Sequence, residues 1–233
     1  MNVSNTGIVR VKNISEIGPA DGLVAWYPLQ GDVKDYANGM DALNDGATPT
    51  VRGYHFDDTN PRIFVTTESM IPTSHTISCW ILKTVHNPVS YPIFLSYHLP
   101  YIACNSSSHP FRVSYRNASG QTNVSGITIP HLNVWYHVVG TFSVDGVRIY
   151  VNGYYEGINS TPSVNTGNSF LMGGHNTGTQ YRIDGSISDV RIYNRALSEE
   201  EVAVLYEMTN PELNNRIKQT KDCLYVKGQI QET

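Results

Sequence analysis

Side chains able to cleave a glycosidic bond are sparse in this sequence. Such cleavage uses two carboxylates about 5 to 10 Å apart on either side of the bond. On a strand this calls for a run such as Glu-x-Asp-x-x-Glu, and none occurs; between residues 22 and 198 the glutamates are Glu68 and Glu156. A Gly-x-Ser-x-Gly nucleophile motif and a glycine-rich phosphate loop are absent as well. We therefore predict a protein without enzymatic activity.

Aromatic side chains next to Asn, Gln or His could bind a sugar without chemistry. Aromatic faces stack on sugar rings, and the polar groups bond to sugar hydroxyls. Most of the 15 tyrosines are also good strand formers, so packing within a sheet is the alternative explanation. The candidate ligand-binding residues are Tyr97, His98, Tyr154, Tyr155, His175, Asn176 and Tyr181.

Histidine and cysteine do not form a metal-binding pattern. His131 and His137 could at best share one face of a strand, and a structural role is favoured over zinc for this pair. The three cysteines form neither a CxxC motif nor an even disulfide framework. Cys79 lies beside Trp80 in an apolar run, so we predict a buried thiol there.

The composition excludes several classes of protein. The 233 residues are 40% apolar and carry a net charge of −4, which disfavours a nucleic-acid-binding surface. Only 15% are charged, whereas Gly, Tyr and Pro number 19, 15 and 12, which disfavours long solvated helices and disorder. Neither a signal peptide nor an apolar run of about 18 residues is recognisable, so we expect synthesis in the cytoplasm and no membrane insertion.

Short apolar runs separated by turn residues begin at Gly22 and predict an all-β fold. Many of them are spaced as in an antiparallel β-sandwich of the jelly-roll type. Trp26, Trp80 and Trp135 lie in strand patterns and are assigned to the core. The first strands predicted are Leu23–Leu29, Tyr54–Phe56, Arg62–Val65, Thr76–Leu82, Ile93–Tyr97, Phe111–Tyr115 and Val124–Ile129.

The strongest local signal is a three-stranded meander over residues 135–157. Its strands are separated by Asp145-Gly146 and Asn152-Gly153, which supply the positive φ angles of tight hairpin turns. Further strands follow at residues 170–174, 181–185 and 187–193. One helix is predicted after Ser198, which with Glu201 forms a capping box, and Asn210-Pro211 should end it.

Both ends of the chain differ from this central part. Residues 1–21 resemble an arm or linker, residues 22–209 form the predicted sandwich, and residues 210–233 form a tail with alternating apolar residues. Arm and tail both look like unpaired β material that could add to a partner's sheet edge. A disordered terminus is the alternative. We expect assembly with other copies, as a homo-oligomer, or with other proteins through these ends.

The meander resembles the laminin-G-like group of concanavalin A-like domains, which carry a tryptophan-led strand, an Asp-Gly turn and a "YVNG" strand end. Two further segments support the resemblance. Residues 183–202 are similar to the group's last strand and following helix, and residues 22–29 are similar to its first strand. The resemblance covers residues 22–209 and implies the jelly-roll fold. It does not imply an activity, because the fold hosts lectins, adhesion modules and glycosidases.

The resemblance also implies a calcium site. Domains of this group often hold one Ca²⁺ between the loop after the first strand and the last strand. Here the matching residues are Asp35, Asn38 and Asp189, although the usual Asp-x-Ser-Gly-Asn-Gly loop is only partly kept. Ca²⁺ takes about six to eight oxygen ligands, which carboxylates, an amide and carbonyls could supply. The alternative is that Asp35 and Asn38 only stabilise a turn.

The short arm, the sandwich and the C-terminal "YVKGQIQE" segment are together similar to virion proteins of tailed bacteriophages. We therefore expect a non-enzymatic virion protein that presents a lectin-like sandwich and binds glycans or host cell-surface polysaccharide. One alternative is a capsid or tail decoration protein without sugar affinity. The other is a glycoside hydrolase of the same fold, which the missing carboxylate pair disfavours.

Overall fold

The computed structural model describes most of the predicted sandwich. The residues covered are 19–57, 59, 61–66, 72, 74–85, 93–96, 100–104, 109–163, 169–174 and 183–210. The predicted tail, apart from Asn210, and almost all of the predicted arm lie outside these ranges. The domain boundaries and the assembly role of the two ends therefore stay predictions.

Within these ranges the regular elements are fifteen strands, followed by one helix. The elements are β1 (Leu23–Tyr27), β2 (Leu43–Asp45), β3 (Thr48–Pro49), β4 (Tyr54–Phe56), β5 (Arg62–Thr66), β6 (His75–Lys83), β7 (Ile93–Ser96), β8 (Tyr101–Cys104), β9 (Phe111–Asn117), β10 (Gly120–Ser125), β11 (Trp135–Ser143), β12 (Gly146–Val151), β13 (Tyr154–Asn159), β14 (Ser169–Met172), β15 (Gly185–Tyr193) and α1 (Glu199–Thr209).

The strands form two antiparallel sheets, which confirms the predicted sandwich. Sheet A has the order β13-β12-β11-β6-β15-β4-β3, and β1 pairs with the second half of β15. Sheet B has the order β10-β9-β8-β7-β14-β5-β2. Each sheet joins a meander of consecutive strands, β11 to β13 in sheet A and β7 to β10 in sheet B, to strands from distant parts of the chain.

The main core lies between the two sheets and follows the period-two alternation of the strands. In β11, Tyr136, Val138 and Phe142 point inward, and Phe142 contacts Tyr115 of sheet B edge-on, with ring centroids 6.3 Å apart. Cys79 belongs to this core, as predicted, and burial raises the pKa of its thiol.

Helix α1 covers a second, smaller core on the outer face of sheet A. The predicted capping box is confirmed: Ser198 Oγ accepts from the Glu201 amide, and the Glu201 carboxylate accepts from the Ser198 amide. Val202 and Leu205 are the buried residues of the helix. Because they pack on outward-facing residues of sheet A, the sandwich is three layers thick at this point.

The predicted burial of the tryptophans is confirmed for Trp26 and Trp80 but not for Trp135. Trp26 and Trp80 are buried but do not belong to the core between the sheets, and Trp135 is only half-buried. The Arg52 guanidinium lies between Trp80 and Trp135, at 4.4 and 4.5 Å from the ring centroids. Alternation along β6 and β11 places both rings on the outer face, where Arg52 covers them and α1 contacts Trp80 through Tyr206 and Thr209.

Several strand boundaries also differ from the prediction. The strand predicted at residues 124–129 is Gly120–Ser125. The chain beyond it bonds to Phe111 of β9 through Gly126 and Thr128, and Glu156 binds the Ile127 and Thr128 amides. Strands β2, β3 and β8 were not predicted. The three residues of β2 are all exposed, and therefore show no inside-outside alternation to detect.

Candidate functional site

The loop after β1 is organised around the carboxylate of Asp35. Its Oδ1 accepts hydrogen bonds from the amides of Trp26 (2.8 Å) and Ala37 (2.9 Å). Its Oδ2 accepts from the amides of Asn38 (3.2 Å) and Met40 (3.1 Å). A carboxylate has about four lone-pair positions, and these four donors use them all. Asp35 therefore fixes the loop against the first strand.

Asp189, the other predicted carboxylate ligand, is bound to different partners. Its Oδ1 accepts from the Trp26 indole at 2.6 Å and from Arg191 Nε at 3.1 Å. The Arg191 guanidinium also stacks over the Trp26 ring, 4.6 Å from the centroid. Oδ2 of Asp189 is buried and has no hydrogen-bond partner. Asp35 and Asp189 are thus linked through Trp26, one by its backbone and the other by its side chain.

The calcium site implied by the family resemblance stays a prediction. In this conformation Asp35 offers no unused lone pair to a cation, and Asn38 donates its side-chain amide to Val24 O at 2.8 Å. Of the two predicted carboxylate ligands, Asp189 has an oxygen without a hydrogen-bond partner, Oδ2. Over the part of the chain that the structure describes, no group of three or more His, Cys, Asp or Glu side chains could hold a metal ion. The four hydrogen bonds of Asp35 agree with the alternative, in which this residue stabilises a turn.

Tyr154 and Tyr155 lie immediately after the tight turn that joins β12 to β13. Asn152 and Gly153 have φ angles of 51° and 82°, as a two-residue hairpin turn requires. The turn is held on β11, since the Asn152 amide donates to His137 O and Asn152 Oδ1 accepts from the His137 amide. The two tyrosines are therefore presented by a rigid element.

The two tyrosine rings have different surroundings. Consecutive residues on a strand point to opposite faces. Tyr155 packs edge-on against Tyr150, with centroids 5.9 Å apart, and is 42% exposed. Tyr154 is 75% exposed, which is unusual for an aromatic residue at the end of a well-packed meander. Its ring is free to stack on a ligand from solution.

Glu156 ties this strand to the segment that follows β10. Its Oε2 accepts from the amides of Ile127 (2.9 Å) and Thr128 (3.0 Å), and its Oε1 accepts from the Thr128 hydroxyl. We call these three hydrogen bonds the Glu156 clamp. The side chain of Ile127 is exposed beside it. We call Tyr154, Tyr155 and Ile127 the hairpin edge. Both carboxylate oxygens of Glu156 are used in holding it.

His131 and His137 do not share a strand face. His131 precedes β11 and is exposed, whereas His137 is fully buried beneath α1 with its Nε2 2.8 Å from Ser78 Oγ. Burial, and then the charges of Arg191 and Arg52, lower the pKa of His137 to about 3. The imidazole is therefore neutral at pH 7, as a structural role requires.

Five of the predicted sugar-binding residues, Tyr97, His98, His175, Asn176 and Tyr181, lie outside the residues that the structure describes. The strands that lead to them are described. Strands β7 and β14 are antiparallel and pair through their last residues, Ser96 with Leu171 and Leu95 with Met172. The residues that sequence reasoning missed are Ile127 and the clamp residue Glu156, since only the fold brings the segment after β10 to β13.

Solved structures confirm the fold. The chain is similar to domain 4 of AbnA, a GH43 extracellular arabinanase from Geobacillus stearothermophilus, in complex with arabinotriose. This match has a TM-score of 0.62 and 15% identity, and covers 79% of this chain and 98% of that chain. The botulinum neurotoxin serotype D binding domain matches with a TM-score of 0.65, 13% identity, and coverage of 81% and 52%.

A Trypanosoma rangeli sialidase matches with a TM-score of 0.64 and 17% identity, over 82% of this chain and 33% of that chain. The chain thus spans about half of the neurotoxin binding domain and a third of the sialidase. No curated protein sequence is significantly similar to it. No helix in the described ranges is long and apolar enough to cross a membrane.

The family model Laminin_G_3, described as the concanavalin A-like lectin/glucanases superfamily, matches residues 57–203. This segment contains the meander, the last strand and the start of α1. The chain therefore belongs to the concanavalin A-like lectin/glucanases superfamily, as a laminin-G-like sandwich.

Proposed function

We propose that this chain is a non-enzymatic glycan-binding module whose binding site includes the hairpin edge. The observation that carries the proposal is the exposed ring of Tyr154 on a turn fixed by Asn152 and by the Glu156 clamp. A rigid, solvent-facing aromatic ring is what stacking on a sugar needs, because little conformational entropy is lost on binding.

The similar solved structures support this proposal at the level of the fold. One of them, the arabinanase domain, is in complex with arabinotriose, and another is a toxin's binding domain. At 13 to 17% identity these likenesses do not transfer a ligand to this chain. They make arabinotriose a reasonable first probe.

The carboxylates of the sandwich support a non-enzymatic role. Glu156 is engaged by two amides and a hydroxyl, so it is held as a structural acceptor and is not positioned as a general acid. Asp35 is likewise saturated by amide donors. That the module is carried on a phage particle stays a hypothesis from the sequence, as does assembly through the ends of the chain.

The test is a glycan array followed by calorimetry on the full chain, with arabinotriose as the first soluble probe. Tyr154→Ala should weaken binding of the best glycan about tenfold or more, as expected for the loss of about 1.4 kcal/mol of stacking. Tyr36→Ala is the matched control, since Tyr36 is also exposed but lies on the Asp35 loop. Equal affinity of wild type and Tyr154→Ala would contradict the proposed site.

A further inference from the structure

Lys83, the last residue of β6, is a buried amine without a partner. In β6 the side chains of Ile77, Cys79 and Ile81 point into the core between the sheets, and Lys83 continues this inward row. The residue is 3% exposed, and its Nζ is buried with no hydrogen-bond partner. A lysine on the inner face of a sandwich is uncommon, since charged side chains are rarely buried unless they are paired.

Within the described ranges, no carboxylate forms a hydrogen bond with Lys83 Nζ. Strands β6, β8 and β9 contain neither Asp nor Glu. Asp184 is a neighbour of Lys83 across the sheet, since the Asp184 carbonyl accepts a hydrogen bond from the amide of the next residue, Thr84. The Asp184 carboxylate, however, accepts from the Thr84 hydroxyl. Lys83 and Thr84 are consecutive and point to opposite sides of the strand. The Asp184 carboxylate is therefore directed to the other side.

A second observation indicates a positive electrostatic field at this place. Cys104, at the end of β8, is buried on the inner face of sheet B. Burial raises the pKa of this thiol to about 11, and the charges of Lys83 and Arg112 both oppose that rise. Two cations from different sheets thus act on one buried thiol. An isolated ammonium in such surroundings is strongly unfavourable unless a negative group pairs with it.

We infer that the end of the sandwich at Lys83 binds the carboxylate of an acidic sugar, with the Lys83 ammonium as its counter-charge. The inference rests on the proposed glycan-binding function and adds the ligand class, namely uronic acids and other carboxylated sugars. Lys83 lies at the same end of sheet A as the turn that presents Tyr154. Trp135 pairs with Leu82, so β6 ends where β11 begins, and the Asn152-Gly153 turn that presents Tyr154 contacts β11 there.

Since Nζ is shielded from solvent, a bound carboxylate replaces the atoms that now cover it. We therefore expect association to be slower than encounter by diffusion. The ion pair formed would be charge-assisted and protected from screening by salt, which favours selectivity for acidic over neutral sugars.

The experiment compares glucuronate with glucose at constant ionic strength, using calorimetry and thermal unfolding of the full chain. Wild type should bind glucuronate about tenfold or more tightly than glucose, and only glucuronate should raise the melting temperature. Lys83→Met and Lys83→Gln should each abolish this preference. Lys34→Met, which removes an exposed lysine, should retain it. Two Lys83 variants are used so that at least one folded protein without the charge is compared.

The inference is overturned if wild type shows no preference for glucuronate, or if a folded Lys83 variant keeps that preference. The Tyr154→Ala variant separates this result from the proposed function. It should lose affinity for acidic and neutral oligosaccharides alike while leaving their ratio unchanged. If oligosaccharides do not bind but glucuronate still stabilises the chain through Lys83, the glycan-binding proposal fails and the anion site stands.

Discussion

His137 Nε2 and Ser78 Oγ lie 2.8 Å apart beneath helix α1, where both side chains are closed off from solvent. The imidazole is tilted against Trp80 and stacked on Tyr206, with centroids 5.3 and 6.1 Å away, and its Nδ1 has no hydrogen-bond partner. A proton on this ring would be buried near Arg52 and Arg191, which also act on it. The contact between α1 and sheet A therefore depends on a neutral histidine.

This arrangement predicts loss of stability as the pH falls below about 6.5. The pKa of His137 is about 3 in the folded state, whereas an unfolded histidine has a pKa near 6.5. At a pH between these two values, His137 is protonated in the unfolded chain and neutral in the folded chain. Acidification therefore favours the unfolded chain and lowers the free energy of unfolding. From pH 7.5 to 5.5 the loss should be about 1.4 kcal/mol in the free energy of unfolding, measured in urea.

His137→Gln should remove that part of the pH dependence, although the variant will be less stable at every pH. His131→Gln is the control, because His131 is exposed. A loss of the same size in wild type and His137→Gln would show that other groups cause it.

Gly53 and Gly31 form a matched pair for testing the packing of β15. Their φ angles are 89° and 92°, so an alanine pays the same backbone cost of about 1 to 2 kcal/mol at either position. A Cβ at Gly53 would clash with the backbone carbonyl of Ile187, whereas a Cβ at Gly31 meets nothing within 4 Å. Gly53→Ala should therefore destabilise by about 2 kcal/mol more than Gly31→Ala in urea unfolding. Equal costs would mean that the loop before β4 does not lie against β15.

Three alanine variants at the start of α1 should reduce stability by different amounts, and their order tests the helix cap. Ser198→Ala should cost about 1 kcal/mol, since one amide of the first turn loses its acceptor. Glu201→Ala should cost more, because Glu201 also forms two bonds of 2.7 and 2.6 Å with Arg195. Glu199→Ala removes only an exposed charge near the helix N-terminus, worth about 0.5 kcal/mol. The order Glu201, Ser198, Glu199 in thermal unfolding is the expected result, and any other order would contradict the cap described above.

Asp35 is expected to be a structural residue whether or not calcium binds. Asp35→Asn keeps one acceptor oxygen and loses the other, so at least about 2 kcal/mol of stability should be lost, in Ca²⁺ and in chelator alike. A calcium site at this rim predicts in addition that Ca²⁺ raises the melting temperature of wild type and not of Asp189→Ala. A wild-type melting temperature that is equal in Ca²⁺ and in chelator would remove the calcium hypothesis.

The parts of the fold that sequence reasoning predicted are those with local signals. The Asn152-Gly153 turn and the Ser198 cap depend on residues within a few positions of each other, and both were found. The position of Arg52 between Trp80 and Trp135 joins residues far apart in the chain, and nothing near Arg52 indicates it. The strand patterns predicted core tryptophans, but they did not indicate that Trp80 and Trp135 lie on the outer face of sheet A.

The candidate site was predictable only in part. Tyr154 and Tyr155 were named because they follow a turn, whereas the clamp between Glu156 and Thr128 arises from the meeting of β13 with the segment after β10. Lys83 did carry a usable signal. It continues the alternation of Ile77, Cys79 and Ile81, which places its charge on the inner face.

The measurement that tests the central proposal most directly is glycan binding by wild type, Tyr154→Ala and Tyr36→Ala, each in Ca²⁺ and in chelator. The proposal predicts a glycan that binds wild type and Tyr36→Ala equally and Tyr154→Ala about tenfold more weakly. Binding that is unchanged by Tyr154→Ala would move the site away from the hairpin edge. A wild-type chain that binds no glycan under either condition would contradict the glycan-binding function itself.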